Sequence, residues 1–321
     1  MNHAEEQIKS VVIGHAVADA LGVPVEFYDR AELKESPVTE MRGYGTYLVP
    51  AGAWSDDTSM SIAALDAVSD GTFSPDRVMQ AFTAWYETGK YTPTGEMFDI
   101  GNTCRRAIEN YTKNHKDAAT CGIGDEYSNG NGSLMRIHPF ALMSWFDEAL
   151  RPTFETVIET ASALTHAHPR SKLACDIYTL ILFALLAHPE KGAVTYALET
   201  AKQRYCDHPE IPHFERLLAR GFDRCPEEEI RSGGYVVDTL EAAVWCLLTT
   251  DSYRACVLKA VNLGADTDTT AAVAGGLAGA LYGDHAIPDE WLQTLRKREY
   301  LEAVCARFAR HARPGGFSLL F

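Results

Sequence analysis

The stretch Gly264–Gly283, "GADTDTTAAVAGGLAGALYG", opens with two acids one residue apart, Asp266 and Asp268, and then runs through small and apolar residues to Leu281. The apolar part, from Ala271 to Leu281, is about half of the ~20 residues that a membrane-crossing helix requires, so it reads as a core helix. Gly275, Gly276 and Gly279 within it suit close packing against a second helix. Far upstream the chain makes the same move at Trp54–Met60, "WSDDTSM", with Asp56 and Asp57 just ahead of the apolar run Ile62–Leu65. Clustered acids thus stand at the mouths of two buried helices near opposite ends of the sequence.

The same helical spacing continues through the rest of the chain. It predicts helices over about 5–21, 58–69, 75–88, 98–112, 133–147, 153–165, 170–187, 191–204, 212–220, 236–249, 252–262, 268–282 and 289–310. Ser74-Pro75 and Pro288-Asp289-Glu290 carry helix-start chemistry, and Gly71 and Gly283 follow helix ends. Val-rich alternating strands are nearly absent, and no fixed-period repeat appears, which argues against a solenoid. The fold class expected is all-α. No Pro/Gly/Ser linker divides the chain, and if the two acidic motifs meet in space, residues 1–321 form one domain. Two long loops, Tyr28–Gly52 and Asn114–Gly132, are expected to be functional, because long ordered loops in compact domains tend to be.

With 46% hydrophobic and 10% aromatic residues the chain has ample material for a core. Its net charge of −15 disfavours a nucleic acid or an anionic membrane as partner, since both need a basic footprint. Eight cysteines are scattered with no CxxC pair and no zinc spacing, and no secretory leader pattern opens the chain. A reducing cytoplasm is therefore expected, with the thiols acting as small core residues.

Helix capping is one reading of "SDDT" and "DTDT", since Ser, Thr and Asp are favoured there and carboxylates suit a helix N-terminus. A cap, however, needs one side-chain oxygen, and each motif offers two carboxylates plus hydroxyls. Four anions brought together cannot all ionise unless a cation compensates. Oxygen donors without His or Cys select hard cations such as Mg²⁺, Mn²⁺ or Ca²⁺, and two ions about 3.5–4 Å apart would make a binuclear site. Two further segments join these motifs. Gly14–Phe27, "GHAVADALGVPVEF", places Asp19 near a helix end, where a local cap is the simpler reading, and Glu26 in the loop that follows. Asn129–Arg136, "NGNGSLMR", runs from Gly and Asn into an apolar helix, so its amides would face a phosphate, although Asn-Gly is also an ordinary turn.

In this order the segments "GHAVADALGVPVEF", "WSDDTSM", "FDIGNTCRRAI", "GNGSLMRIHP", "THAHPRSKLA", "SGGYVVDTLEAAVWCL" and "LGADTDTTAAVAGGLAGALYG" resemble the ADP-ribosylglycohydrolase family over nearly the whole chain. The resemblance implies a compact orthogonal helical bundle with two Mg²⁺ or Mn²⁺ ions at the base of a cleft for ADP-ribose. It implies Ser55, Asp56, Asp57, Asp266, Asp268 and Thr269 as metal ligands, with Glu26 as a further ligand or gate in some branches. Asp57, Asp99 and Asp268 would carry the chemistry. Asn129, Gly130, Asn131, Gly132, Ser133, Met135, His166 and Tyr235 would bind the substrate. Asp99 also suits a helix cap, His166 a satisfied histidine, and Tyr235 a plain turn aromatic. The chain departs from the commoner family pattern, which has threonine at the Ser55 position and glycine at those of Ala265 and Ala18.

The activity so implied is hydrolysis at C1″ of ADP-ribose attached to an acceptor, with ADP-ribosyl-arginine on protein the first expectation. Serine-linked or small-molecule conjugates are the alternative substrates. A non-catalytic ADP-ribose binder, a crystallin-like structural protein and a toxin-immunity protein are the rival roles. A monomer is expected.

Overall fold

The computed structural model describes residues 3–312. Its first half holds α1 (His3–Gly22), α2 (Arg30–Glu35), α3 (Asp56–Ala67), α4 (Pro75–Thr88), α5 (Asn102–Thr112), α6 (His138–Phe146) and α7 (Phe154–Ala163). The second half holds α8 (Pro169–Ala187), α9 (Lys191–Arg204), α10 (Val236–Leu248), α11 (Tyr253–Val261), α12 (Thr267–Tyr282), α13 (Asp289–Thr294) and α14 (Arg298–Ala309). Among the described residues the only β pairings are two isolated bridges, Ile123 with His166 and Gly130 with Tyr235. The protein is all-α.

The core is organised around α1 lying along α12. The two backbones approach so closely that a Cβ on Gly275 would fall 2.5 Å from Gly14 O and 2.3 Å from the Ala18 methyl. A Cβ on Gly279 would fall 2.0 Å from Ser10 O, so only glycine permits this contact. α10 and α11 cover α12, α3 and α14 pack on α1, and α8 lies against α12 between α7 and α9. Tyr253 on α11 ties the layers together by donating to Gly14 O at 2.5 Å. The segment His3–Val25 is long and apolar enough to cross a membrane, yet 94% of its apolar window is buried inside the protein. It is a core helix.

Several boundaries differ from the sequence reading. The helix expected from 98 begins at Asn102, because Asp99 sits in the left-handed region (φ 57°) and Gly101 is the N-cap. The helix expected over 133–147 is a short 3₁₀ turn, Leu134–Arg136, followed by α6, where Pro139 in the first turn fixes the helical φ. Residues 212–220 form only the 3₁₀ turn Ile211–Phe214 and further turns. The expected helix 289–310 breaks between α13 and α14, where Lys297 takes φ 46° and the Arg296 amide donates to Gly52 O at 3.0 Å. The loop Tyr28–Gly52 contains α2, started by an Asp29–Glu32 capping box that the sequence reading passed over.

Candidate active site

The mouth of α3 is capped by residues other than its own acids. Ser55 is the N-cap, accepting from the Asp57 amide at 3.3 Å while its hydroxyl donates to Asp57 Oδ2 at 3.0 Å. Asp19, at the far end of α1, accepts from the amides of Ser55 (2.9 Å) and Thr58 (3.0 Å) and from the Thr58 hydroxyl (2.6 Å). Asp19 is thus a cap, supplied by a neighbouring helix rather than locally. Asp56 and Asp57 occupy the first two helical positions and are released from capping.

At the mouth of α12, Asp266 is the N-cap residue but its side chain caps nothing; its Oδ2 accepts from Asn131 Nδ2 at 2.8 Å. Asp268 Oδ1 accepts from the Thr269 amide at 2.9 Å, and the Thr269 hydroxyl donates to Asp57 Oδ2 at 3.2 Å. The two mouths therefore meet. Carboxylate oxygens of Glu26, Asp266 and Asp268 lie within 4.8 Å of one another. Ala265, just before them, is held at φ 62° by bonds from its amide to Tyr28 O (2.8 Å) and from the Phe27 amide to its carbonyl (2.7 Å). That conformation is easiest for glycine, so alanine here carries backbone strain.

Glu26 Oε2, Asp57 Oδ1, Asp266 Oδ1 and Asp268 Oδ2 are buried without any hydrogen-bond partner. Orphaned oxygens of this kind are costly unless something binds them. Burial first, and neighbouring carboxylates second, push Asp56, Asp57 and Asp268 well above the usual carboxylate range. The same two causes, with Asp99 the leading neighbour, raise Glu26 to about 9. The ionised forms want a cation, and a set of carboxylate and hydroxyl oxygens fits a hard divalent one. The residues present fit a divalent metal.

These acids floor a cleft of about 340 Å³. Glu26, Asp56, Asp99, Asp266 and Thr269 face it from one side, and Gly130, Asn131, Gly132, Met135 and His166 from the other. Asp57, Asp268 and Ser55 lie beneath this surface, all buried. Asp99 does not cap α5. Its carboxyl lies beside Asp56 and the Tyr47 phenol, and burial raises its pKa. His166 is buried and neutral, held down to about 3 by burial and by Arg136.

Three of the expected substrate residues are not among those lining the cleft. Asn129 is turned away from the cleft, its amide donating to Glu126 O (2.9 Å) and accepting from Ser171 Oγ (2.9 Å). Ser133 is fully buried, its oxygen accepting from Ser162 (3.0 Å) and touching Cys175 Sγ (3.6 Å). The Tyr235 ring is half-buried beside Arg170, and its backbone, bridged to Gly130, braces the loop instead. Sequence reasoning missed Tyr47, whose phenol reaches both Glu26 and Asp99. It also missed Cys104 and Gly234, which line the cleft. Cys104 sits inside the "FDIGNTC" segment already singled out, whereas Tyr47 lies in a loop with no local signal.

The chain matches the ADP-ribosylglycohydrolase family over residues 1–316. It is 33% identical over 299 residues to the ADP-ribosylarginine hydrolase Tri1 of Serratia proteamaculans (strain 568), covering 92% of this chain and 76% of that protein. It is 32% identical over 286 residues to the ADP-ribosyl-[dinitrogen reductase] glycohydrolase of Rhodospirillum rubrum, covering 88% of each. Among solved structures, one described as an ADP-ribosylglycohydrolase-related protein complex superposes with a TM-score of 0.81 at 30% identity, over 97% of this chain and 100% of that one. The chain belongs to the ADP-ribosylglycohydrolase family.

Proposed function

We propose that the protein is a metal-dependent hydrolase that releases ADP-ribose from ADP-ribosyl-arginine on protein by cleaving the N-glycosidic bond. The observation that carries this reading is the meeting of two acid-bearing helix mouths, with orphaned oxygens, at the floor of a cleft walled by the Gly130–Gly132 loop. The arginine linkage is supported by the names of the relatives from Serratia proteamaculans and Rhodospirillum rubrum.

In this reading Ser55, Asp56, Asp57, Asp266, Asp268, Thr269 and Glu26 hold two divalent cations, Mg²⁺ or Mn²⁺. Such a pair supplies Lewis-acid activation of water and orientation of sugar hydroxyls. The Gly130–Gly132 loop, Met135 and His166 hold the diphosphate and ribose. The carboxylates on the floor stabilise the positive charge that develops at C1″ as its bond to the guanidine nitrogen breaks. Water forms the new C1″–O bond and gives a proton to Asp99, and the departing guanidine nitrogen recovers it, so the products are ADP-ribose and arginine. Asp99 suits this role because it faces the cleft from a backbone that is not part of a helix. A net charge of −15 supports a partner that is neither nucleic acid nor anionic membrane. The same reading takes the protein as a cytoplasmic monomer.

The test is release of ADP-ribose from ADP-ribosyl-arginine with Mg²⁺, with Mn²⁺ and with EDTA. Metal-dependent release supports the proposal. Tight metal-dependent binding of ADP-ribose without release moves the substrate to serine-linked or small conjugates. Loss of both leaves a structural role.

A further inference from the structure

Arg136 ends the 3₁₀ turn Leu134–Arg136 that follows the Gly130–Ser133 loop, and it is completely buried. Among the described residues its guanidinium has no carboxylate partner. Nη1 and Nη2 donate to Ala161 O at 3.3 and 3.2 Å, and Nη2 also donates to Thr165 Oγ1 at 2.7 Å. Its plane lies on the Phe82 ring at 4.8 Å, and Nε has no partner. A buried charge left this lightly compensated is expensive, so its placement calls for a reason.

Thr165 Oγ1 lies 2.9 Å from His166 Nδ1. Arginine has donors only, so the Thr165 oxygen accepts from it and keeps its own hydrogen to give. A hydroxyl polarised by a guanidinium is a stronger donor. The backbone of this segment is fixed on both sides: the His166 amide donates to Ser162 O (2.8 Å), the Ile123 amide to Thr165 O (2.9 Å) and the Ala167 amide to Ile123 O (2.8 Å). The ring lies close against the Gly130–Gly132 loop. A Cβ on Gly132 would lie 2.9 Å from its Cε1, and Nε2 is 3.5 Å from the Cβ positions of both Gly130 and Gly132. What the ring offers the cleft then depends on which nitrogen carries the proton.

We infer that Arg136, acting through Thr165, holds His166 in the tautomer protonated on Nε2, so that the cleft wall beside Gly130–Gly132 presents a neutral N–H donor to a ligand oxygen. Nδ1 accepts from Thr165, and a neutral imidazole then has its only hydrogen on Nε2. Arg136 and Thr165 are positioning residues. The competing arrangement has Nδ1–H donating to Thr165 and the Thr165 hydroxyl turned to Cys104, which would leave a bare acceptor nitrogen facing the phosphoryl and ribosyl oxygens. The ligand's identity rests on the ADP-ribose reading above, whereas the tautomer does not.

The test uses the full chain with ¹⁵N-labelled histidine. Ring ¹⁵N–¹H correlation spectra at pH 7 identify the tautomer, with the His166 signals assigned by their loss in His166→Gln. The expected spectrum shows Nε2 protonated and Nδ1 bare, and Thr165→Ser preserves it. Thr165→Val keeps the shape without the hydroxyl; it should mix the tautomers and weaken binding of ADP-ribose about tenfold. A wild-type ring protonated on Nδ1 overturns the inference, as does a Thr165→Val protein with unchanged tautomer. A shifted tautomer with unchanged affinity overturns the donor role. A wild-type protein with the expected tautomer that binds no ADP-ribose sinks the functional reading instead.

Discussion

The hydroxyl of Thr269, at the start of α12, donates to Asp57 Oδ2, at the start of α3, across 3.2 Å and a sequence separation of 212 residues. This bond and that from Ser55 leave Asp57 one oxygen, Oδ1, with no partner, in the same state as Asp268 Oδ2. The helix mouths are thus held together by hydroxyl donors while their like charges stay uncompensated. Asp268→Asn removes one of those charges. It should make the metal-free protein more stable, since burial and the neighbouring carboxylates disfavour the ionised form of Asp268. It should also remove most of the stabilisation that Mg²⁺ or Mn²⁺ confers on wild type, and abolish ADP-ribose release. Thermal melts with and without metal read both effects, and an Asp268→Asn protein that is fully active would remove Asp268 from the site.

Chelation and pH should act together. Glu26 has a folded pKa of about 9 against an ordinary 4.5, so the folded protein favours its protonated form. Its stabilising contribution is complete below pH 4.5 and is lost as pH rises through about 9. Buried His15, His138 and His166 are all held below the ordinary histidine range, so they are neutral in the folded chain and, above about pH 7.5, nearly so in the unfolded chain, where they add little slope. In EDTA, stability should therefore fall between about pH 7.5 and 9. With Mg²⁺ or Mn²⁺ at about a hundred times its Kd the curve should rise by roughly 3 kcal/mol and flatten, because the cation binds the ionised acids. Denaturant titrations across this range check it; a flat curve in EDTA would contradict the carboxyl cluster's strain.

The helices and the two acid motifs were legible because a buried helix opened by acids is a local pattern. Which acids are spent on capping was not legible, since Asp19 reaches Ser55 and Thr58 only after α1 has folded beside α3. The contact of Asn131 with Asp266 joins residues 135 apart and left no mark on either motif. The break before α14 likewise depends on Gly52, whose carbonyl takes the Arg296 amide from the far side of the chain. Asn129, Gly130, Asn131, Gly132 and Ser133 looked alike as a loop, yet the fold turns two of their side chains inward. Ser133 goes to Ser162 and Cys175, and Asn129 to Ser171. Neighbours in sequence do not share a direction once the chain leaves a regular element.

The site's rigidity should depend on the glycine contact between α1 and α12. Gly275→Ala places a methyl 2.5 Å from Gly14 O and 2.3 Å from the Ala18 methyl, and neither can swing aside as a flexible side chain would. The helices must separate, at a cost of about 2–3 kcal/mol. Tm should fall by roughly 5 °C or more. Activity should fall further than stability alone explains, because α12 carries Asp266 and Asp268 at its mouth. Melting and turnover measured on the same Gly275→Ala sample separate the two effects. A normal Tm would mean that the helices have room to part.

Asp99 combines a cleft-facing carboxyl with a backbone φ of 57°, where most side chains are strained. Asn tolerates that region nearly as well as Asp does, so Asp99→Asn changes the chemistry and leaves the backbone alone. Asp99→Ala adds a backbone penalty of about 1 kcal/mol on top of the same chemical loss. If Asp99 transfers the proton, both variants should lose roughly 10²–10⁴-fold in kcat, and only the alanine variant should melt earlier. If Asp99 served only to shape the loop, the pattern would invert: asparagine would be nearly normal and alanine impaired. The Tyr47 phenol and the Asp56 carboxyl stand beside Asp99, so Asp99→Asn also tests whether the loop keeps its shape once the carboxyl is an amide. Single-turnover kinetics with ADP-ribosyl-arginine, alongside melting curves for the two variants, distinguish the cases, and an Asp99→Asn enzyme with wild-type kcat would assign the proton to another carboxyl of the floor.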